Sequence, residues 1–135
     1  MSYSEKMIRK YAQILKKSPA DAKAKKALAD LLSDEDRLDE AIAEYKALVL
    51  LTPEDACAHF GLGDAYFKKG MIDEAIAKTL EAIRLRPGWP FYNNRMGKLM
   101  EATGDLKAAI AQYRKALELK PDLEDAANSL ERLTG

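Results

Sequence analysis

The sequence predicts an all-α solenoid of antiparallel helix hairpins, and three observations predict it. The first is a fixed repeat. Leu62, Gly63, Tyr66, Gly70, Ala75, Ala82 and Pro87 recur 34 residues on as Met96, Gly97, Met100, Gly104, Ala109, Ala116 and Pro121. Thirty-four residues earlier the same slots hold Leu28, Ala29, Leu32, Asp36, Ala41, Leu48 and Pro53, and one further step back from Pro53 reaches Pro19. Self-similarity at this period marks a stacked array in which no unit buries its apolar face alone. The second observation is apolar spacing at three and four residues: from Ala56 through Leu62, Tyr66 and Phe67, then again through Ile72, Ala75, Ile76 and Leu80. Gly70 lies between the two runs, where a left-handed residue ends a helix, and the proline closing each unit stops the second helix. The third is the placement of small residues at Gly63, Ala75 and Ala82, which lets paired helices approach while Leu62, Tyr66, Ile76 and Leu80 fill the space around them.

Taken in order, residues 1–19 read as half a unit. Tyr3, Met7, Tyr11, Ile14 and Leu15 form one helical stripe opposite Lys6, Arg9, Lys10 and Lys16. A basic amphipathic helix can lie on a membrane surface. Here Tyr11 stands one period before Tyr45, and Pro19 one period before Pro53, so register as well as composition favours the second helix of a hairpin. Residues 22–53 form the first full unit. Asp21 caps its first helix, which runs to about Ser33, and the acidic turn Asp34-Glu35-Asp36 leads into a second from about Leu38 to Leu51. Residues 56–87 follow, with Asp55 as cap and Glu74 supplying negative charge to the first turn of the second helix.

In the unit spanning 90–121, Pro90 suits a first helical position, whereas Trp89 is a poor cap and is expected to plug the joint between units, the alternative being an exposed anchor for a partner. Residues 122–135 then form a capping helix ending near Leu133. Its Glu131 stands where Ala29, Gly63 and Gly97 stand before it, the polar end a solenoid requires. The whole, residues 1–135, reads as one domain.

Composition narrows the function classes. Lys plus Arg and Asp plus Glu each number 22, so the chain lacks the overall basic charge of a nucleic-acid binder. The distribution is uneven: net +6 over residues 1–29, −7 over 30–59 and +1 over the rest, which reads as attraction along the stack. Cys57 is the single cysteine, excluding an internal disulfide or a cysteine metal cluster. His59 is the single histidine and sits in a packing slot, and no phosphate loop is present. These features predict a protein without catalytic activity, cofactor or metal. Met1 to Lys17 lacks the apolar block of a secretory signal, and nothing later is long enough to span a bilayer, so a cytoplasmic protein without a membrane partner is expected.

The residues Leu62-Gly63-x-x-Tyr66, Ala75 and Pro87 resemble the tetratricopeptide repeat, and the resemblance covers nearly the whole chain. Departures are visible. The slot favouring tryptophan holds Lys25, His59 and Asn93, the late aromatic slot holds Tyr45, Thr79 and Tyr113, and Leu48 replaces an alanine. The resemblance implies a right-handed superhelical solenoid made of a half-repeat, three full repeats and a capping helix. It also implies a protein–protein interaction scaffold that binds a peptide or helical segment in a concave groove lined by the first helix of each unit.

Helical spacing then nominates Lys26, Phe60, Asp64, Phe67, Phe91, Asn94, Arg95, Lys98 and Asn128 as peptide-binding residues. Phe91 with Arg95 and Lys98 would set an apolar anchor beside positive charge, suited to a hydrophobic residue near a carboxylate, and centres the expected groove on the last two full units. One subgroup of the family clamps the acidic tails of heat-shock chaperones with lysine, asparagine and arginine. Lys26 and Arg95 match that clamp, but Asp30, Gly61 and Phe91 do not, so it is not expected here. RNA binding is disfavoured by the period and by Asp30, Asp34 and Asp64 on the inner face. The alternatives are a self-associating module, monomer or weak homodimer, joined through its half-unit, or a fragment of a larger protein.

Overall fold

A computed structural model describes residues 1–135 as eight α-helices and no strand. They are α1 (Tyr3–Lys17), α2 (Ala22–Asp34), α3 (Leu38–Leu51), α4 (Ala56–Lys68), α5 (Ile72–Leu85), α6 (Pro90–Thr103), α7 (Leu106–Leu119) and α8 (Glu124–Thr134). Pro19, Pro53, Pro87 and Pro121 each follow the C-cap of a helix by one residue, where the missing N–H prevents another turn. The turns inside the hairpins use a left-handed residue at one slot: Asp36 (φ 60°), Gly70 (φ 83°) and Gly104 (φ 85°). In all three the next N–H, that of Arg37, Met71 or Asp105, donates to the carbonyl five residues back at 2.9–3.0 Å, closing the helix end. Asp36 adopts this conformation without glycine's freedom, which aspartate tolerates better than most side chains.

Capping follows the sequence closely. The Asp21 carboxylate accepts from the N–H of Ala24 at 3.0 Å, and that of Asp55 from Cys57 at 2.9 Å. Trp89 makes no side-chain cap, and Pro90 takes the first helical position. Ser2 and Glu5 form a reciprocal capping box on α1 that the sequence reading overlooked. The last helix starts at Glu124 behind Leu123, two residues after Asp122.

The closest pairs are α2–α3, α4–α5 and α6–α7, while α1–α2, α3–α4, α5–α6 and α7–α8 are looser joints between hairpins. Hairpin contacts are intimate because of the small slots. A Cβ on Gly63 would lie 3.1 Å from Thr79 Oγ1 and 3.3 Å from the Ala75 carbonyl oxygen, and one on Gly97 would lie 2.5 Å from the Tyr113 ring. Ala29, Ala41, Ala75, Ala82, Ala109 and Ala116 are wholly buried along this seam. Leu28, Leu62, Tyr66 and Met96 fill the core beside it.

Three expectations are corrected. Leu80 does not fill the core: it is 53% exposed, because one turn after Ile76 the helix has rotated that slot outward. Trp89 does not plug the joint. It is exposed, with the Arg86 guanidinium 4.2 Å above its ring and the Phe91 ring centred 5.3 Å away, since Pro90 and Tyr92 occupy the buried positions instead. On α1 it is Ile8 that is buried, whereas Tyr3 is 75% exposed.

Two buried tyrosines tie helices together. Tyr45 donates its hydroxyl to Asp30 on α2, and Tyr113 to Glu101 on α6. Burial, then the adjacent carboxylate, pushes both phenols far above the ordinary tyrosine range, and burial followed by the Cys57 side chain pushes Tyr92 up to about 12. An unfolded phenol ionises near about pH 10. The folded chain therefore keeps protons that the unfolded chain releases above that pH, so stability present below it is lost as pH rises further. Loss of helical circular dichroism is expected above about pH 10, together with a rise in tyrosinate absorbance. A flat ellipticity with normal tyrosine titration would contradict these burials.

Candidate functional site

The first helices α2, α4 and α6 lie side by side and present one face to an open cavity of ≈ 430 Å³. Its walls are aromatic and charged: Phe60 and Tyr92 pack ring against ring with centroids 4.8 Å apart, and Trp89 forms the edge. Tyr45 reaches the cavity from α3 because Gly61 leaves room for it; a Cβ there would meet its ring at 2.5 Å. The Tyr92 hydroxyl lies 3.8 Å from Cys57 Sγ on the cavity wall. His59 is turned away from this face, buried with Nε2 2.8 Å from the Pro53 carbonyl oxygen, and is a packing residue.

Charge along the face is neutralised from within the chain. Lys26 Nζ sits 2.9 Å from Asp30, and that hydrogen bond raises the ammonium pKa against the opposing effect of burial. Arg95 lies 5.4 Å above Phe60 and 5.3 Å above Phe67, and it pairs with Asp64, which also meets Lys68 at 3.5 Å. Further along, Asn94 donates to Asp125 at 2.8 Å and Lys98 approaches the same carboxylate at 3.1 Å. These two contacts, Asn94 first, hold the Asp125 carboxyl below its ordinary range. Arg132 on α8 pairs with Glu101 on α6 at 2.7 Å. Burial alone would raise the Glu101 carboxyl, but the Tyr113 and Arg132 hydrogen bonds outweigh it and hold it low. Asp34, exposed at the rim, has no ion-pair partner.

Of the nine residues nominated from sequence, Lys26, Phe60 and Asp64 line the cavity, whereas Phe67, Asn94, Arg95 and Lys98 belong to the packed and ion-paired network beside it. Phe91 is exposed with its ring 5.3 Å from Trp89, and Asn128 is exposed on α8. Tyr45 and Tyr92 were not nominated, and the sequence offers Trp89 as a partner anchor only as the alternative to a plug. The available signal was a pair of aromatics on either side of Pro90 where the units before it carry none.

No helix is long and apolar enough to cross a membrane. No curated protein matches the chain. Among solved structures it is similar to MamA, at 25% identity and a TM-score of 0.89, with 98% of this chain and 83% of that one covered. Two more distant likenesses concern the fold alone. The first TPR of Spaghetti (RPAP3) bound to the HSP90 peptide SRMEEVD is 24% identical, with a TM-score of 0.80 over 84% of this chain and 90% of that one. A thermophilic TPR protein of Thermus thermophilus is 22% identical, with a TM-score of 0.80 over 93% and 70%. The tetratricopeptide repeat is matched over residues 8–55, 26–90 and 90–123. With the repeat running through more than half of the sequence and eight helices paired in its manner, the chain belongs to the tetratricopeptide repeat family.

Proposed function

We propose that this chain is a protein-interaction scaffold that holds an extended or helical segment of a partner in the groove between α2, α4 and α6. The observation that carries this reading is the open ≈ 430 Å³ cavity, walled by Phe60, Tyr92 and Trp89, with the cations beside it already paired within the chain. A ligand gains there by covering aromatic surface rather than by meeting a free cation. Lys26, Phe60 and Asp64 are the contact residues at the cavity. Phe91 extends its apolar rim from Trp89, and Phe67, Asn94, Arg95 and Lys98 hold the face in shape towards Asn128. The Spaghetti domain, of similar fold, is bound to an acidic peptide. Here the corresponding attraction is muted, because Lys26, Arg95 and Lys98 each have a carboxylate of this chain beside them.

The test is capture of partners by wild type, by Phe60→Ala/Trp89→Ala and by Asn128→Ala, after circular dichroism shows equal helix content. The aromatic double variant should lose bound partners by about tenfold or more, the effect of removing hot-spot aromatics, while Asn128→Ala should lose few. Equal capture by all three places the binding surface elsewhere.

A further inference from the structure

We propose that the Met7, Tyr11 and Ile14 face of α1 docks a helix carried by a partner protein. That helix bears an acidic residue, a small residue four positions later, and a second acid immediately after the small one. The internal repeats supply the template. The slots of Met7, Tyr11 and Ile14 recur as Ala41, Tyr45 and Leu48 on α3, as Ala75, Thr79 and Ala82 on α5, and as Ala109, Tyr113 and Ala116 on α7. All nine internal residues are between 0% and 4% exposed, and the preceding first helix of the hairpin packs on this row, as Gly63 does on Ala75 and Thr79 and Gly97 on Tyr113. On α1 the same three slots hold side chains at least as large in two cases of three, yet all are only half-buried, because α1 packs chiefly on α2.

Each feature of the docked helix follows from a contact seen elsewhere in the chain. The residue facing the Tyr11 slot must be small, as Ala29, Gly63 and Gly97 are, since a Cβ at Gly97 already meets the Tyr113 ring at 2.5 Å. A carboxylate beside it accepts from the Tyr11 hydroxyl: Asp30, directly after Ala29, accepts from Tyr45 in the adjacent unit, and Glu101, four residues after Gly97, accepts from Tyr113 in the last. Lys10 occupies the slot of Glu44 and Gln112, which reach across the hairpin to Lys25 at 3.2 Å and to Asn93 at 3.1 Å, both four positions before the small residue. A lysine in place of Glu44 inverts the demand, so the partner helix carries an acid there. Lys6, Arg9, Lys16 and Lys17 against the single acid Glu5 extend the same preference over the whole of α1. The end helix α8 of a second copy does not fit, because it offers Ala127, Glu131 and Arg132 at the three positions. The occupant is therefore an acidic amphipathic helix from outside residues 1–135, bound helix against helix.

The probe is a synthetic peptide of residues 20–36 of this chain carrying Lys25→Glu, constrained as a helix and labelled for anisotropy. It contains the required acid, Ala29 and Asp30. Wild type should bind it saturably. Lys10→Glu, an exposed substitution, should weaken binding at least tenfold, and the unaltered 20–36 peptide with its native Lys25 should recover that loss on the Lys10→Glu chain. A peptide carrying Ala29→Glu in addition, which imitates Glu131, should not bind. Absence of saturable binding to wild type, indifference to Lys10→Glu, or equal binding of the Ala29→Glu peptide would each overturn the assignment. So would sedimentation of wild type as a dimer that Tyr11→Lys dissociates, which would give the face to a second copy. None of these readouts involves the α2–α4–α6 groove, so this inference and the proposed peptide groove succeed or fail separately.

Discussion

Replacing Gly97 with leucine is expected to destabilise the chain by about 3 kcal/mol, the upper end of what overpacking a core costs. The side chain would enter at 2.5–2.8 Å from three atoms of the Tyr113 ring. That ring cannot step aside, because it is fully buried and its hydroxyl is held by Glu101. Tyr113→Ala, which leaves a cavity instead, should cost about 3 to 5 kcal/mol. In the double variant the leucine fills part of the space the ring vacated, so the combined loss should fall well short of the sum. Gly63→Leu should cost less, about 1 to 3 kcal/mol, since its neighbours are the smaller Thr79 and the Ala75 carbonyl at 3.1 and 3.3 Å. Denaturant midpoints for the four variants decide the matter. An unshifted Gly97→Leu midpoint would mean that α6 and α7 do not cross at this slot.

The second large effect belongs to Arg95→Glu, which should cost roughly 2 to 3 kcal/mol, below the 3 to 5 of a fully buried broken pair because solvent reaches part of this one. Arg95 and Asp64 are each 24% exposed at the side chain. The variant would set two carboxylates in contact between the Phe60 and Phe67 rings. Arg95→Met keeps the apolar packing and leaves one carboxylate that Lys68 still meets, so it should be the milder change. Asp64→Lys added to Arg95→Glu should recover part of the loss. If melting temperatures rank Arg95→Glu level with Arg95→Met, the ion pair has no structural weight. The same geometry makes Arg95→Glu a poor probe of ligand binding, because it disturbs the groove it is meant to report on.

Much of the fold was legible because the period carries its own punctuation. Four prolines and the Asp36, Gly70 and Gly104 slot act through local backbone chemistry, and local chemistry can be read along a line. The errors came where the outcome depended on competition between neighbours. Leu80 fits a three-and-four pattern as well as Ile76 does, but only the preceding helix decides which of them it covers. Trp89 was expected inside on its size, yet Tyr92 and Pro90 claimed the space.

The candidate site was less legible for a related reason. Sequence spacing places Arg95 and Lys98 on one face, but their carboxylate partners Asp64 and Asp125 lie 31 and 27 residues away on other helices. What read as a free cationic patch beside Phe91 is an internally neutral network. The cavity instead opens towards α2, where Gly61 gives the Tyr45 ring passage.

Contact confined to neighbouring hairpins has a consequence for the chain's motions. Each helix leans on the one before and the one after, and the first helices reach only the next first helix, as Arg95 reaches Asp64 and Lys98 reaches Asp125. No contact then waits on a long loop being closed, so folding should be fast and able to start in any hairpin. Opening should likewise spread inward from α1 and α8, with amide exchange slowest in α4 to α6. A segment laid across several units would bind each to the next, so a ligand's clearest trace would be a delay in this fraying.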